Sequence, residues 1–582
     1  MTKQKLELTW IGKDQRPRLE PRILLEDPKR SYHAKQRVTD DDLFDNRLIR
    51  GDNLLALKAL EAEFAGKVKC VFIDPPYNTG SAFEHYDDAL EHSTWLGLMR
   101  DRLEALRRLL APDGFICCHI DDSEGHYLKV LMDEVFGRAN YLITLYVQVR
   151  YPEKTLKQDM AFHKQIEQVH IYRKQYGAQP IQNVKLLSFD KFCYFLEEKG
   201  VGKTIQLGNK AVQVFEAHEW DVRKGEGSAK GLKEIWATGS ILDGNSSGRF
   251  FRDYLTGRAA TDGLGCLYKV AGIGDDGLGY RYLTGPARAT ATKGKYYQGV
   301  PLDKLEADAK DQTSPIENFY DLAGSFGNCR HEGGVDFRSG KKPEALIEVV
   351  MNHFTRAGDL VLDSFAGSGT TGAVAHKMGR RWIMVELGEH CHTHIVPRLQ
   401  KVIDGQDPGG VTQATGWPGG GGFRYYELAP TLLSTDRWGN LVINPEYDAA
   451  MLSAAMCKLE GFSYAPSELL WWQHGRSSER DFIYVTTQTL GPEQLEALSH
   501  EVGADPNDPR SLLVCCGAYR GVTAAQAAER WPRLTLKKIP KMVKDRCEWG
   551  HDDYSLNVAN LPMAQKKVET PAQDDLFGGD AA

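Results

Sequence analysis

Short apolar runs alternate with amphipathic segments over residues 46–174, which predicts strands and helices in turn. A helix is expected from Thr94 to Leu110, where apolar residues recur at helical spacing until Pro112 and Gly114 end the pattern. The predicted strands are Arg47–Arg50, Cys70–Asp74, Phe115–Ile120, Leu142–Val149 and Gln168–Tyr172. Strands and helices in this order are typical of a parallel α/β sheet.

The alternation of predicted strands and helices stops at about residue 176 and resumes at about 336, after a stretch rich in Gly, Tyr and turns. It resumes with a predicted helix from Pro343 to Phe354, a strand Leu360–Asp363, a helix from about Thr370 to Met378 and a strand Trp382–Glu386. One sheet interrupted by an inserted domain is therefore predicted.

Glycine-rich segments at 409–410 and 419–422 indicate a boundary, beyond which β-like runs flank a predicted helix from Pro492 to Val502. The predicted organisation is an N-terminal arm (1–45), the first part of the main domain (46–175), the insertion (176–335), the second part of the main domain (336–428), a small α/β domain (431–562) and a disordered tail (563–582).

Composition narrows the function classes only slightly. Lys and Arg total 72 and Asp and Glu total 79, a formal charge of -7, so that phosphate binding would need a local basic patch. The 11 cysteines show no CxxC spacing and are interpreted as reduced, buried thiols. No apolar stretch approaches the length of a membrane span, and a cytoplasmic protein without membrane contact is expected.

Asp74-Pro75-Pro76-Tyr77 follows the apolar run Val71-Phe72-Ile73 and is the first candidate for chemistry. An exocyclic base amine is a poor nucleophile, so it needs acceptors for its hydrogens while the nitrogen becomes tetrahedral. The Asp74 carboxylate and the Pro75 carbonyl fit that requirement, and Tyr77 can stack on a base taken out of the duplex. The alternative is a strand end stiffened by Pro75-Pro76, with Tyr77 packed in the core.

A second candidate runs from Asp363 to Thr371, where a strand is followed by a glycine turn and a helix. Such a turn brings backbone amides close to an anionic or ribose group. Glu386 ends the next predicted strand, where an acid can accept both ribose hydroxyls of a nucleotide-like cofactor. His390, Cys391, His392 and His394 are of metal-ligand type, but without a second cluster they are interpreted as a surface helix end, and no metal is expected.

Together these motifs resemble the amino-group DNA methyltransferases of the beta class, in which the catalytic motif precedes the cofactor motif. Asp74 to Gly80, Ile49 to Leu54, Leu8 to Lys13 and Ile235 to Ser240 further resemble the modification (Mod) subunits of type III restriction-modification systems. The resemblance implies a circularly permuted, Rossmann-like sheet that binds S-adenosylmethionine, with a target-recognition domain in the insertion and a small α/β C-terminal domain.

By the same resemblance, Asp74, Pro75, Pro76 and Tyr77 are the expected catalytic residues. The expected cofactor-binding residues are Asp52, Asn53, Lys342, Pro343, Asp363, Phe365, Gly367, Gly369, Thr370, Thr371 and Glu386. Asp52 has an alternative as a helix N-cap.

The implied activity is methylation of adenine N6 in double-stranded DNA, within a restriction-modification or related defence system. Methylation of cytosine N4 is the alternative within the enzyme class, because DPPY forms act mostly on adenine but not exclusively. C5 methylation is not expected, since the chain contains no Pro-Cys dipeptide. The alternative of another class is a DNA-binding specificity subunit that recruits a restriction partner.

Basic and aromatic residues of the insertion are the expected DNA contacts. They are Arg249, Arg252, Arg258, Arg281, Arg288, Lys293, Lys295 and Tyr296. A homodimer and a helicase-nuclease restriction subunit are further expected partners. Gln573-Asp574-Asp575-Leu576-Phe577 in the tail resembles the short peptide that engages the replication sliding clamp.

Overall fold

The computed structural model describes residues 7–16, 19–78, 92–153, 162–184, 189–237, 246–302, 313–337, 340–478, 480–503 and 510–548. The chain forms two compact units, one of Gln182–Ile316 and one of all other residues. Within the described ranges, every helix is too short or too polar to span a membrane.

The larger unit contains an 11-stranded sheet. Its strands in chain order are β1 (Leu24–Glu26), β2 (Tyr32–His33), β3 (Asn46–Arg50), β4 (Val68–Ile73), β5 (Leu110–Ile120), β6 (Tyr141–Gln148), β7 (Ile166–Arg173), β8 (Phe319–Asp321), β9 (Leu360–Asp363), β10 (Arg381–Glu386) and β11 (Gly422–Leu428). They are arranged as β1-β11-β3-β10-β9-β4-β5-β7-β6-β8, and β2 also pairs with β11.

The sheet is mixed rather than parallel throughout. From β11 through β3, β10, β9 and β4 to β5 each neighbouring pair is parallel. β7 runs antiparallel to both of its neighbours, β5 and β6. The prediction of a parallel sheet was wrong at this edge, because β6 and β7 are consecutive strands that pair antiparallel, which requires no helical crossover.

Helices cover both faces of the sheet. They are α1 (Asn53–Phe64), α2 (His92–Leu109), α3 (Gly125–Met132), α4 (Glu344–Phe354), α5 (Thr370–Lys377) and α6 (Val396–Ile403). Helices α1 to α3 pack on the face that carries Val71 and Ile73, and α4 to α6 pack on the face that carries Cys70 and Phe72. Alternate residues of β4 therefore enter opposite cores, as expected for a strand buried on both faces.

Short helical turns complete the larger unit around the sheet. They are Asp133–Gly137, Arg138–Asn140, Ala323–Asn328, Cys329–Gly334, Cys391–Ile395 and Thr412–Thr415.

Gln182–Ile316 is built on a six-stranded antiparallel sheet. Its strands, in spatial order, are Lys203–Leu207, Lys210–Phe215, Leu267–Ala271, Tyr280–Thr284, Lys295–Gln298 and Lys233–Trp236. Two strand pairs (Tyr194–Glu198 with Trp220–Lys224, and Asn183–Val184 with Thr313–Ser314) and three short helices (Ser246–Phe250, Phe251–Leu255 and Ala259–Asp262) complete the unit.

This compact unit is narrower than the predicted insertion of 176–335. Residues from Glu317 onward belong to the larger unit, because β8 pairs with β6 and the side chains of Tyr320 and Phe326 pack on the core beside α4.

The C-terminal region has its own five-stranded sheet but belongs to the larger unit. The strands of this sheet are Ser463–Tyr464, Gly475–Arg476, Asp481–Leu490, Ser511–Tyr519 and Leu534–Lys538. A hairpin of Leu433–Thr435 and Leu441–Ile443 precedes them. The helices of the C-terminal region are Ala449–Glu460, Pro492–Val502, Ala524–Arg530 and Ile539–Arg546. The N-terminal segment joins the two parts, because β1 pairs with β11 while Ile23 packs in the C-terminal core. The predicted tail lies outside the described residues.

Candidate active site

Asp74 follows the last residue of β4 at the carboxyl edge of the sheet. Its Oδ2 accepts a hydrogen bond of 2.6 Å from Lys342 Nζ, and its Oδ1 lies 3.5 Å from His119 Nδ1. Burial tends to raise the pKa of Asp74, but the Lys342 ammonium and His119 outweigh it, so that the pKa lies below its ordinary value. Oδ1 is a buried acceptor without a hydrogen-bond partner in the described part of the chain.

The turn after Asp74 is fixed by side chains from two helical regions. Trp95 of α2 is fully buried and donates a hydrogen bond of 2.8 Å to the Pro76 carbonyl. Asn78 has a φ of 59°, a left-handed conformation that Asn tolerates, and its Nδ2 donates to Glu124 just before α3 at 2.7 Å. The predicted stiffness of Pro75-Pro76 is thus reinforced by contacts that the motif alone does not reveal.

Tyr77 is held by its hydroxyl. The hydroxyl oxygen lies 3.2 Å from His119 Nδ1 and 3.1 Å from Glu167 Oε2, to which it donates. Lys342 Nζ lies 4.9 Å from the centre of the Tyr77 ring, at cation–π distance. Burial, then the charges of Asp74 and Glu167, raise the pKa of Tyr77 well above its ordinary value, and the phenol is therefore neutral.

His119 on β5 and Glu167 on β7 were not identified from the sequence. His119 is fully buried, and its Nε2 lies 3.2 Å from Glu167 Oε2. Burial lowers the pKa of His119, whereas Asp74 and Glu167 raise it, and the balance leaves it above its ordinary value. A histidine inside the otherwise apolar run Phe115–Ile120 was the available signal.

Asp363 ends β9, the strand next to β4, and organises the glycine turn. Its Oδ1 accepts a hydrogen bond of 2.9 Å from the Phe365 amide, and its Oδ2 accepts one of 2.5 Å from the Thr371 hydroxyl. Burial raises the pKa of Asp363 to about 7, despite these two hydrogen bonds. Asp363 therefore fixes the conformation of the turn.

The turn depends on glycine at Gly367 and Gly369, which have φ values of 55° and 77°. A Cβ at Gly369 would lie 2.9 Å from the Ile395 side chain. Glu386 at the end of β10 closes the turn, because its Oε2 accepts the Gly367 amide at 2.8 Å and its Oε1 accepts the Gly388 amide at 2.9 Å.

His390 is buried and lies 3.0 Å from Glu386 Oε1, and Cys391 is buried in the core. The interpretation of residues 390–394 as a surface helix end was therefore wrong for these two residues. Within the described ranges, no group of three or more His, Cys, Asp or Glu side chains is arranged to hold a metal ion.

Asp52 follows β3 and is the N-cap of α1, the alternative that the sequence left open. Its Oδ1 accepts the Leu55 amide at 3.0 Å, and its Oδ2 accepts a hydrogen bond of 3.0 Å from Arg102. Asn53 donates to the Ser364 carbonyl at 2.8 Å. These contacts place Asp52 and Asn53 beside the turn that follows β9.

Lys342 and Pro343 precede α4, as predicted, and Pro343 is its N-cap. The Lys342 carbonyl accepts the Thr370 hydroxyl at 3.1 Å, so that this segment also touches the start of α5. The first residue of α4, Glu344, is fully buried and pairs with Lys377 of α5 and Arg398 of α6, each at 2.9 Å. A buried ion network therefore fixes the three helices on this face.

A family model described as DNA methylase matches residues 68–397, which include both motifs. The chain belongs to this family. The probable type III restriction-modification enzyme HindVI Mod subunit of Haemophilus influenzae is 32% identical over 430 residues, which cover 69% of this chain and 56% of that protein. The type III EcoPI Mod subunit of Escherichia phage P1 is 27% identical over 456 residues, which cover 69% of this chain and 65% of that protein.

The type III StyLTI Mod subunit of Salmonella typhimurium is 32% identical over 367 residues, 56% of this chain and 49% of that protein. The chain thus matches about half to two thirds of the length of these relatives. The match to a solved structure of an M1.HpyAVI–SAM complex covers 61% of this chain and 98% of that chain, with 11% sequence identity and a TM-score of 0.31.

The DNA contacts predicted for this DNA methylase fall in Gln182–Ile316 and differ in exposure. Arg281 is 3% exposed and forms a 2.5 Å ion pair with Asp276, and Tyr296 is buried in the core. Neither can reach a nucleic acid, so the prediction was wrong for both.

The other candidates are at least partly exposed. Arg252, Arg258 and Lys295 are paired with Asp253, Asp262 and Glu234, whereas Arg249 is partly exposed and Arg288 and Lys293 are exposed. Arg288 and Lys293 are therefore the exposed cations of the predicted set for which the described residues show no ion pair.

Proposed function

We propose that this DNA methylase transfers a methyl group from S-adenosylmethionine to the N6 amine of adenine in double-stranded DNA. One observation carries the proposal: Asp74 and Asp363, far apart in the chain, end the neighbouring parallel strands β4 and β9. Lys342 joins the two motifs, since its ammonium binds Asp74 while its carbonyl binds Thr370. A base amine and a cofactor bound at these two turns would lie at the same edge of the sheet.

The turn after β9 fits a nucleotide-like cofactor. The Ser364 hydroxyl is buried and has no hydrogen-bond partner within the described ranges. The Glu386 carboxylate is held by the Gly367 and Gly388 amides and by His390, and it would accept the hydroxyls of a ribose. Phe365, Gly367, Gly369, Thr370 and Thr371 would complete this site, and Asp52, Asn53 and Pro343 would border it. S-adenosylmethionine supplies an electrophilic methyl group when it is bound.

Asp74 Oδ1 is suited to receive the target amine. It is a buried acceptor that an amine N–H would satisfy, and Lys342 fixes the other oxygen of the same carboxylate. The Pro75 carbonyl would accept the second N–H. Asp74 would take the proton that nitrogen loses as the new N–C bond forms and the bond between the methyl group and the cofactor sulfur breaks. Positioning supplies most of the rate enhancement in such a reaction.

Tyr77 would stack on the extruded base. Lys342 Nζ now lies over the Tyr77 ring, so a base on that ring face would replace the ammonium there. A carboxylate-held lysine is compatible with this exchange, because Asp74 can retain Lys342 through Oδ2.

The test is methyl transfer from labelled S-adenosylmethionine to DNA, followed by nucleoside analysis. The wild-type protein should produce N6-methyladenine, and Asp74→Ala should reduce transfer on the order of 100-fold or more. Asp113→Ala is the matched control, because Asp113 is exposed and pairs only with Lys69 among the described contacts.

Each alternative has its own result. N4-methylcytosine as the product would favour the cytosine alternative. DNA binding without any methyl transfer by the wild type would favour the specificity subunit, and an Asp74→Ala variant of full activity would overturn the assignment of Asp74.

Partners are proposed from the names of the relatives. Those relatives are Mod subunits of type III restriction-modification enzymes, which supports a restriction subunit as a partner of this chain. A homodimer stays a prediction from the sequence. The sliding-clamp peptide at Gln573 to Phe577 lies outside the described residues and stays a prediction. A cytoplasmic location likewise stays a prediction from the sequence.

A further inference from the structure

We infer that His119, in its protonated form, is a positioning residue for the methyl transfer, holding Asp74 and Tyr77 in one arrangement. The inference rests on the proposed function. Among the described contacts, His119 does not touch the turn after β9 that would hold the cofactor, and it acts through the two residues that would contact the base.

The geometry places one imidazole edge against both motif residues. His119 Nδ1 lies 3.2 Å from the Tyr77 hydroxyl and 3.5 Å from Asp74 Oδ1. Since the Tyr77 hydroxyl donates to Glu167, its oxygen is free to accept the Nδ1 proton. An N–H at Nδ1 would therefore donate to the phenol oxygen and face the Asp74 carboxylate, so that one edge of His119 contacts both motif residues.

The Nε2 edge of the His119 ring favours a protonated imidazole, because it faces the Glu167 carboxylate. Nε2 lies 3.2 Å from Glu167 Oε2, an ion-pair contact without hydrogen-bond alignment. A neutral imidazole with its proton on Nδ1 would turn a lone pair toward this carboxylate, which is unfavourable in a buried site. Protonation of Nε2 removes that repulsion.

Charge balance leads to the same conclusion. The described groups that face His119 are the carboxylates of Asp74 and Glu167, the ammonium of Lys342 and the neutral phenol of Tyr77. With a neutral His119 the cluster carries one uncompensated negative charge, and with an imidazolium it is neutral. Burial opposes the imidazolium, but Asp74 and Glu167 raise the pKa of His119 above its ordinary value.

The first experiment measures the protonation state of His119 and does not depend on enzyme activity. Histidine labelled with carbon-13 at Cε1 is titrated by NMR in the full-length wild type and in Glu167→Gln, and the His119 signal is assigned by its loss in His119→Gln. His119 should remain protonated above pH 6.5 in the wild type, and its titration should move to lower pH in Glu167→Gln. His170, on the same strand as Glu167, is an internal reference, since burial lowers its pKa to about 4.

The second experiment tests the positioning role of His119 by measuring the rate of single-turnover methyl transfer as a function of pH. The wild-type rate should fall as pH rises through the pKa of His119, and Glu167→Gln should move this fall to lower pH. His119→Gln should be slower by on the order of 10- to 100-fold and should lack the pH-dependent fall, with little change in the KM for S-adenosylmethionine.

His170→Gln is the matched control. His170 is buried and hydrogen-bonded to Thr144 and Gly125, but among the described residues it does not contact Asp74 or Tyr77. It should retain the wild-type pH profile.

The outcomes separate the two proposals. Absence of methyl transfer by the wild type overturns the proposed function, whereas an active wild type with an equally active His119→Gln of unchanged pH profile overturns the role of His119. If His119→Gln does not fold, the comparison of wild type with Glu167→Gln decides: a pH profile that does not move in Glu167→Gln overturns the inference.

Discussion

The pKa values of two aspartates at neighbouring strand ends, Asp74 and Asp363, are shifted in opposite directions because their partners differ. Asp74 faces Lys342 and His119, which outweigh burial and lower its pKa. Asp363 has only neutral hydrogen-bond donors, and burial raises its pKa to about 7. The first is therefore a carboxylate suited to hold an amine, and the second is an acid near its titration point that supports a turn.

Asp363 should make the protein less stable as pH rises toward neutrality. Its pKa in the folded chain is about 7, against an ordinary value of 3.8, so its contribution to stability is complete below pH 3.8 and is lost as pH passes 7. The loss is at most about 4 kcal/mol, because one pKa unit corresponds to about 1.4 kcal/mol.

The measurement is urea unfolding of wild type and Asp363→Asn at several pH values from 4 to 8. Asn can keep the acceptor for Phe365 and donate to Thr371, so the free-energy difference between the two proteins should shift in favour of Asn as pH rises. Asp359→Asn, at the partly exposed start of the same β9 segment, is the control. A difference that does not change with pH would contradict the assignment.

At the residue scale, the sequence predicted the side chains that lie inside motifs and missed those that support them. Asp74, Tyr77, Asp363 and Glu386 follow strands that the hydrophobic pattern already indicates. His119 and Glu167 come from separate strands, and only the pairing of β5 with β7 brings them together. The pairing of Arg281 with Asp276 is equally invisible, since a basic stripe in sequence does not reveal which cations are neutralised in the fold.

At the element scale, strand existence was easier to predict than strand direction or ends. The predicted helix Thr94–Leu110 is confirmed as α2, His92–Leu109. β5 begins at Leu110, five residues before the predicted start at Phe115, and it includes Pro112. Its register against β4 is irregular near this end, which accommodates a proline that would otherwise end a strand.

The helices beside the site depend on the buried acid Glu344. It faces Lys377 and Arg398, and all three side chains are fully buried. Glu344→Gln should lower the free energy of unfolding by about 3–5 kcal/mol, because it leaves buried cations with less compensating charge. It should also weaken cofactor binding, since Lys342 and Pro343 immediately precede Glu344.

Urea unfolding and a binding titration with S-adenosylmethionine check this prediction. Glu348→Gln lies one turn further along α4 at a partly exposed position and is the control, which should change stability by less than about 1 kcal/mol. A similarly small loss in Glu344→Gln would mean that Asp407, which lies 2.7 Å from Lys377, supplies enough charge by itself.

At the scale of the molecule, the order of the two motifs said more about the methyltransferase class and the domain layout than either motif alone. A cofactor turn that follows the catalytic turn still lies beside it, because β9 is inserted between β4 and β10. The sequence could not predict how the N-terminal arm meets the C-terminal region, because the relevant contacts, such as the bridge between Leu19 and Glu548, join residues without a local pattern. It also placed the end of the insertion too late, since a short strand such as β8 has too few residues to show periodicity.

The two compact units allow the proposed functions to be tested separately, with chemistry proposed for the larger unit and DNA contacts proposed for Gln182–Ile316. Arg288 and Lys293 are exposed cations of the smaller unit, so Arg288→Ala combined with Lys293→Ala should weaken DNA binding. If each cation neutralises one phosphate, the slope of log K against log salt should fall in magnitude by about 2. The affinity for S-adenosylmethionine should not change, because the residues expected to bind this cofactor belong to the larger unit.

The matched control is Lys541→Ala combined with Lys544→Ala, which removes two exposed cations from the C-terminal helix Ile539–Arg546. It should leave the salt dependence of DNA binding unchanged, as measured by fluorescence anisotropy on the same duplex. Loss of binding in the control but not in the Arg288 and Lys293 variant would move the DNA contacts to the C-terminal region. That result would overturn the assignment of target recognition to the insertion while leaving the chemistry at Asp74 intact.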